Sequence, residues 1–157
     1  MTPDTYRILD VFADSFNPFL AVVALAAPFV RRRRILRATV VYYLSTGAAI
    51  GLVYLVRLID DYYRIWASHG LDYSTHSAFA ASLVVSVGVF HRRWLAPLVI
   101  AVLLYFSLVL FMWYHSLADI LTSVPLAAAV AFAFSRLHVN VDRTRRREEA
   151  KQATGGP

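Results

Sequence analysis

The sequence predicts an all-α membrane protein: a polytopic helical bundle of five transmembrane helices, with its amino end outside and its carboxyl end cytoplasmic. Three observations carry this expectation. Hydrophobic residues make up 59% of the 157 residues, and the mean hydropathy is +0.54, too apolar for a soluble domain of this size. The apolar residues are gathered into long runs. Basic residues cluster at alternate ends of those runs, which is a topology signal.

The elements follow in order. Residues 1–14 are mixed and read as interfacial, and Phe16–Val30 is the first apolar run, short unless it begins near Ile8. Asp4, Asp10 and Asp14 stand where a cleavable leader would carry basic residues, so none is expected. Arg31 to Arg34 and Arg37 mark the first turn. The second span is Ile35–Val56, with Gly47 and Gly51 in a small-xxx-small spacing that suits close helix approach. A polar, aromatic loop is expected from Arg57 to Tyr73. The third span runs from Tyr73 to Phe90, with Ser74 or Thr75 as its cap. His91-Arg92-Arg93 is a tight basic turn. Trp94–Tyr114 and Ser116–Leu137 are the fourth and fifth spans, with Pro97 tolerated early in its helix and Pro125 expected to kink the other. Residues 1–137 thus form the transmembrane domain, and 138–157 a charged cytoplasmic tail, frayed or disordered.

Thirteen of the sixteen basic residues share one side: Arg31 to Arg34, Arg37, Arg92, Arg93, Arg136, Arg143, Arg145 to Arg147 and Lys151. That side is expected to be cytoplasmic. The net charge of +6 is therefore a topology signal and not a nucleic-acid footprint. With no cysteine, thiolate chemistry and disulfides are excluded.

The opposite side collects the chemistry. His115 and Asp119 sit four residues apart within an apolar stretch, where ionisable groups cost several kcal/mol and usually mark a site. The alternative is a carboxylate drawn to a helix start by the dipole. Arg57, Arg64, Ser74 and His76 fall on the same side. Arginine forks and helix-start amides bind phosphate. One histidine can attack phosphorus while another protonates the leaving oxygen. A metal site of His76, His115 and Asp119 is the rival reading, and it leaves both arginines without a role. His69 and Asp72 either contact substrate or are merely solvated, the second being the favoured reading, and His91 and His138 are bystanders. Trp66, Trp94 and Trp113 fit an interfacial belt. Tyr42, Tyr43 and Tyr54 fit helix packing.

These residues resemble the type 2 phosphatidic acid phosphatase superfamily of membrane lipid phosphatases, over about residues 35–135. Its first motif is lysine, six residues, arginine, proline; Arg57 through Arg64-Ile65 keeps the spacing, with arginine for lysine and isoleucine for proline. Its second is Pro-Ser-Gly-His, against Tyr73-Ser74-Thr75-His76. Its third is Ser-Arg, five residues, His, three residues, Asp; here Leu108-Val109 replaces Ser-Arg, and His115 and Asp119 hold their places. The resemblance implies hydrolysis of a lipid phosphate or prenyl pyrophosphate through a phosphohistidine on His115. It makes Asp119 the orienting carboxylate and His76 the general acid. Arg57, Arg64, Ser74 and Thr75 would bind the phosphoryl group, with no metal or other cofactor. The departure at Val109 removes one phosphate ligand. It keeps open a second expectation, a weakened relative that binds or transports a lipid phosphate. Arg7 is the candidate to replace the missing cation. The expected setting is a bacterial inner membrane with the site facing outward. The oligomeric state is not readable.

Overall fold

A computed structural model describes residues 3–30 and 36–153, without the side chains of residues 137–151 and 153. The Arg31 to Arg34 block, the His138 side chain and residues 154–157 lie outside what is described. Among the described residues five α-helices follow one another: α1 (Pro3–Ala26), α2 (Leu36–Tyr63), α3 (Thr75–Phe90), α4 (Arg92–Phe111) and α5 (Leu117–Ala153). Short 3₁₀ turns occupy Ala27–Val30 and Ala67–His69.

Among the described residues, four stretches are long and apolar enough to cross a membrane: Pro3–Val30, Leu36–Tyr63, Arg92–Phe111 and Leu117–Arg136. Their outward faces are apolar too. Phe12, Phe19 and Val22 on α1, Leu44 and Leu58 on α2, Leu103 and Leu104 on α4 and Leu121 on α5 are all exposed. A continuous apolar belt of this kind belongs in lipid. α3 has 16 residues and is the shorter apolar helix, about 24 Å long. It lies at the centre, packed against each of the other four helices. Small residues allow this: Ser77, Ala78, Ala80, Ala81, Ser82 and Ser86 are buried, and backbones come close without leaving voids.

Several boundaries differ from the sequence reading. α1 begins at Pro3 and not at Phe16, because Pro3 suits a first helical turn and Asp4 complements its dipole. Arg57–Tyr63, expected as loop, is the last part of α2. The carbonyl of Asp60 then accepts the Arg64 amide at 2.7 Å, closing the helix with Arg64 in the left-handed region at φ 54°. Gly47 and Gly51 face outward, with nothing within 4 Å of an added Cβ; Ala38, Tyr42, Ser45, Ala49 and Val53 make the buried stripe instead. The close approach lies at Gly88, where a Cβ would stand 2.5 Å from Leu95 Cδ1. α5 runs helical through Pro125 and past residue 138, so the change expected there is one of composition within a single helix.

The two ends of the bundle are tied differently. At one, His91 Nε2 is 2.8 Å from the Ala27 carbonyl, the imidazole stacks on Trp94, and Tyr42 and Tyr43 donate to the Ala24 and Leu25 carbonyls. His91 is thus a structural clamp. At the other end, the Tyr114 hydroxyl donates to Asp10, and Trp66 Nε1 donates to Thr122 Oγ1 at 2.9 Å. The conspicuous side chains of the sequence gather at this second end.

Candidate functional site

The α4–α5 turn places His115. It precedes α5, so its relation to Asp119 is not the same-face pairing of two helical residues. It arises from a capping box: the Ser116 amide donates to Asp119 Oδ2 at 2.7 Å, and the Asp119 amide donates to Ser116 Oγ at 3.2 Å. Asp119 Oδ1 accepts the Asp72 amide at 2.8 Å, which pins the loop before α3 to the start of α5. His115 Nδ1 then lies 4.0 Å from Asp119 Oδ2 and 3.5 Å from Asp72 Oδ2. Nδ1 is buried and, among the described residues, without a hydrogen-bond partner, while the side chain as a whole is 15% exposed. The accessible edge of the ring is therefore away from Nδ1.

Asp72, read as contacting substrate or merely solvated, is 58% exposed and also bridges the cluster. Its Oδ1 pairs with Arg57 Nη1 at 3.2 Å. Arg57 Nη2 pairs with Asp61 at 2.9 Å, and Nη1 also reaches the Tyr73 carbonyl at 3.4 Å. Arg57 thus meets His115 through Asp72. Burial lowers the His115 pKa; Asp72 and Asp119 oppose that, while His76 and Arg57 add to it.

The start of α3 supplies the second histidine. Tyr73 and Ser74 are fully buried, and the Ser74 amide donates to Ser123 Oγ at 3.0 Å. Ser74 occupies the N-cap, but its hydroxyl donates to Ser77 Oγ at 2.8 Å and not to a helix-start amide. The Thr75 amide donates to the Tyr73 carbonyl at 2.9 Å. Both groups expected to hold a phosphoryl oxygen through their amides therefore already have partners. The amides of His76 and Ser77 are the ones that precede the first intrahelical acceptor. His76 is exposed, and its carbonyl accepts from Asn17 Nδ2 at 3.3 Å, which docks α1 on α3.

Two cavities meet at His76. One, of about 340 Å³, is lined by Asp14, His76, Tyr105, Val109, Tyr114 and His115 among others. The other, of about 420 Å³, runs between α1, α2 and α3 past Asp14, Asn17, Pro18, Tyr54, Thr75 and Phe79. Val109, the residue in the place of the third-motif arginine, is 3% exposed and faces the cavity of both histidines. Among the described residues, neither cavity is lined by an arginine or lysine. Arg7 lines neither.

Of the seven residues singled out from the sequence, Arg57, Ser74, Thr75, His76, His115 and Asp119 come to one end of the bundle. Arg64 lies at the same end, its amide held by the Asp60 carbonyl, but its side chain is exposed, lines neither cavity and, among the described residues, makes no ion pair. Its nearest role is to close α2. Asp60 accepts the Trp66 amide at 2.8 Å. Asp72, Asp14 and Tyr54 are the site residues that sequence reasoning missed. The Ser116-x-x-Asp119 capping pattern was a signal that the carboxylate also has structural work. Among the described residues, no three histidine or acidic side chains gather as a metal-binding set.

Comparison with known proteins finds no match to the chain among protein-family models, curated proteins or solved structures.

Proposed function

We propose that this membrane protein is a lipid phosphate phosphohydrolase that works through a phosphohistidine on His115. The observation that carries the reading is the environment of that ring. Its buried Nδ1 faces the carboxylates of Asp72 and Asp119 at 3.5 and 4.0 Å, and its accessible edge lines a cavity with His76. Two carboxylates favour the tautomer with the proton on Nδ1, which leaves the Nε2 lone pair free. These distances exceed a hydrogen bond, as is common before substrate draws a site together.

In this scheme Nε2 attacks phosphorus and the ester P–O bond breaks. His76 gives its proton to the leaving alkoxide. Water then attacks the phosphohistidine, His76 takes a proton from that water, and the P–N bond breaks to release inorganic phosphate. The His76 amide at the start of α3 hydrogen-bonds the phosphoryl oxygens, and Arg57, once turned from Asp72, offsets their charge. The bundle crosses the membrane five times, with α3 as a short, shielded crossing. The His115 end faces outward and the basic end faces the cytoplasm, as in a bacterial inner membrane. A reporter fused after Pro157 then reads cytoplasmic, and an external reading reverses the orientation.

A second reading is favoured by Arg57 and Val109. Arg57 is doubly paired with acids, and the cavity of the two histidines lacks a lining cation. Such a site suits a protein that binds or moves a lipid phosphate without cleaving it. Phosphate release in detergent separates the two, with phosphatidic acid, phosphatidylglycerol phosphate and a prenyl pyrophosphate as substrates and chelator present. Release that His115→Ala lowers by about a thousandfold or more supports the enzyme. Binding of the same lipids without release supports the carrier.

A further inference from the structure

The cavity beside His76 has an unexplained character. Asp14 lines it and the neighbouring cavity, is exposed, and among the described residues makes no ion pair. Pro18, one turn later, has no N–H, so the Asp14 carbonyl lacks the donor that a regular helix would give it. Asn17 stands between them. Its Nδ2 donates to the His76 carbonyl at 3.3 Å, and its Oδ1 is buried with no hydrogen-bond partner among the described residues. The α1 side of the cavity thus carries the Asp14 carboxylate, with the unpartnered Asn17 Oδ1 buried beside it. The opposite wall has Tyr54 and Phe79, whose rings meet edge to face at 6.3 Å. A carboxylate, spare acceptors and aromatic rings are the groups that hold an organic ammonium ion.

We propose that the cavity beside His76 binds an ammonium group, and that the substrate is a phosphate monoester whose leaving alcohol carries that ammonium. This rests on the phosphohydrolase reading above. It also accounts for Val109: where the resemblance leads to an arginine, the substrate brings its own positive charge. The ammonium sits against Asp14 and the aromatic pair. The phosphate lies across His76 at His115, and the leaving oxygen between them is the one His76 protonates.

The test compares phosphate release from 2-aminododecyl phosphate, its N-acetyl derivative and 2-aminoethyl phosphate. Wild type, Asp14→Asn and Asp14→Glu are measured in one detergent. The expected result is about a tenfold preference in kcat/KM for the amine over the amide. Asp14→Asn collapses that ratio, and Asp14→Glu keeps it. Turnover of the long-chain amine alone identifies a lipid substrate; equal turnover of 2-aminoethyl phosphate identifies a soluble one. Equal rates for amine and amide overturn the ammonium site and leave the phosphohydrolase standing. Absence of release from all three overturns the hydrolase instead, and binding then decides the ammonium site. Dodecylammonium binding that exceeds dodecanol binding and is lost in Asp14→Asn supports it. Binding unaffected by Asp14→Asn overturns it.

Discussion

Asp72 stands between Arg57 and His115, with Oδ1 3.2 Å from the guanidinium and Oδ2 3.5 Å from the buried imidazole nitrogen. It is nearer to His115 than Asp119 is, and less committed elsewhere. Both Asp119 oxygens already accept backbone amides, and they hold the turn and the loop in register. In the mechanism proposed above, Asp119 is then the scaffold and Asp72 the group that would orient His115. Asp72 also occupies the place on Arg57 that a phosphoryl oxygen would take.

Asp72→Asn therefore lowers kcat by about tenfold to a hundredfold, the range seen when an outer partner of an active imidazole is lost. KM falls as well, because Arg57 is released to bind substrate. The His115 pKa moves further down, since one of the two charges that support its protonated form is gone. Initial rates against substrate and pH give all three. A rise in kcat would show that Asp72 obstructs the site and does not orient it.

The pH dependence follows from the same ring. His115 is held below the ordinary histidine value, chiefly by burial. Its folded-state pKa is thus below its unfolded one, and the unfolded chain binds the proton more readily. The resulting stability is fully present above about pH 6.5 and is lost as pH falls through the lowered value. Thermal unfolding at stepwise lower pH reads this slope, and His115→Gln removes its share. The activity profile has the matching feature. The neutral nucleophile persists to lower pH than an ordinary histidine allows, so the acid limb of kcat/KM falls below about 6.5. A limb above that value assigns the nucleophile elsewhere.

Gly88 and Gly47 separate packing from sequence pattern. Alanine at Gly88 meets Leu95 Cδ1 at 2.5 Å and Leu95 Cβ at 3.3 Å. The leucine tip can swing aside and its Cβ cannot, so Gly88→Ala costs about 1–2 kcal/mol, at the lower end of overpacking. Gly47 has open space around it, and Gly47→Ala stabilises the helix by about 0.5–1 kcal/mol. Unfolding in detergent measures both. A cost at Gly47 would mean that another surface packs there.

Much of the architecture was legible because lipid allows few solutions: long apolar runs with basic ends read as helices with little ambiguity. What was not legible depended on tertiary contact. α3 looked like one span among five, and its central place comes from small residues whose burial no periodicity announces. Arg57–Tyr63 looked like a loop because polar residues fill it, yet they form the last turns of α2. At the site, His76, His115 and Asp119 stood out as ionisable groups beside apolar runs. Asp72 did not, because it is an acid on a loop and its side chain stays 58% exposed; only its contacts with Arg57 and His115 set it apart. Asp14 escaped notice because α1 appeared to begin after it.

Val109→Arg tests how the site handles charge. The side chain is buried at 3% and faces the cavity that holds Asp14, His76 and His115. An arginine there enters beside an acid and reaches toward the phosphoryl group, so the buried charge has a partner and is tolerated. If a missing phosphate ligand limits turnover, the substitution recovers part of the roughly 2.7–4 kcal/mol that one transition-state donor supplies, and kcat rises by about tenfold or more. The gain appears first on a phosphate ester without an amine, because the introduced guanidinium and a substrate ammonium would compete for Asp14. Rates on paired amine and amide substrates, with helicity measured to confirm folding, give the answer. A folded variant whose rates do not change on either substrate means that the cavity already completes its electrostatics without a cation at this position.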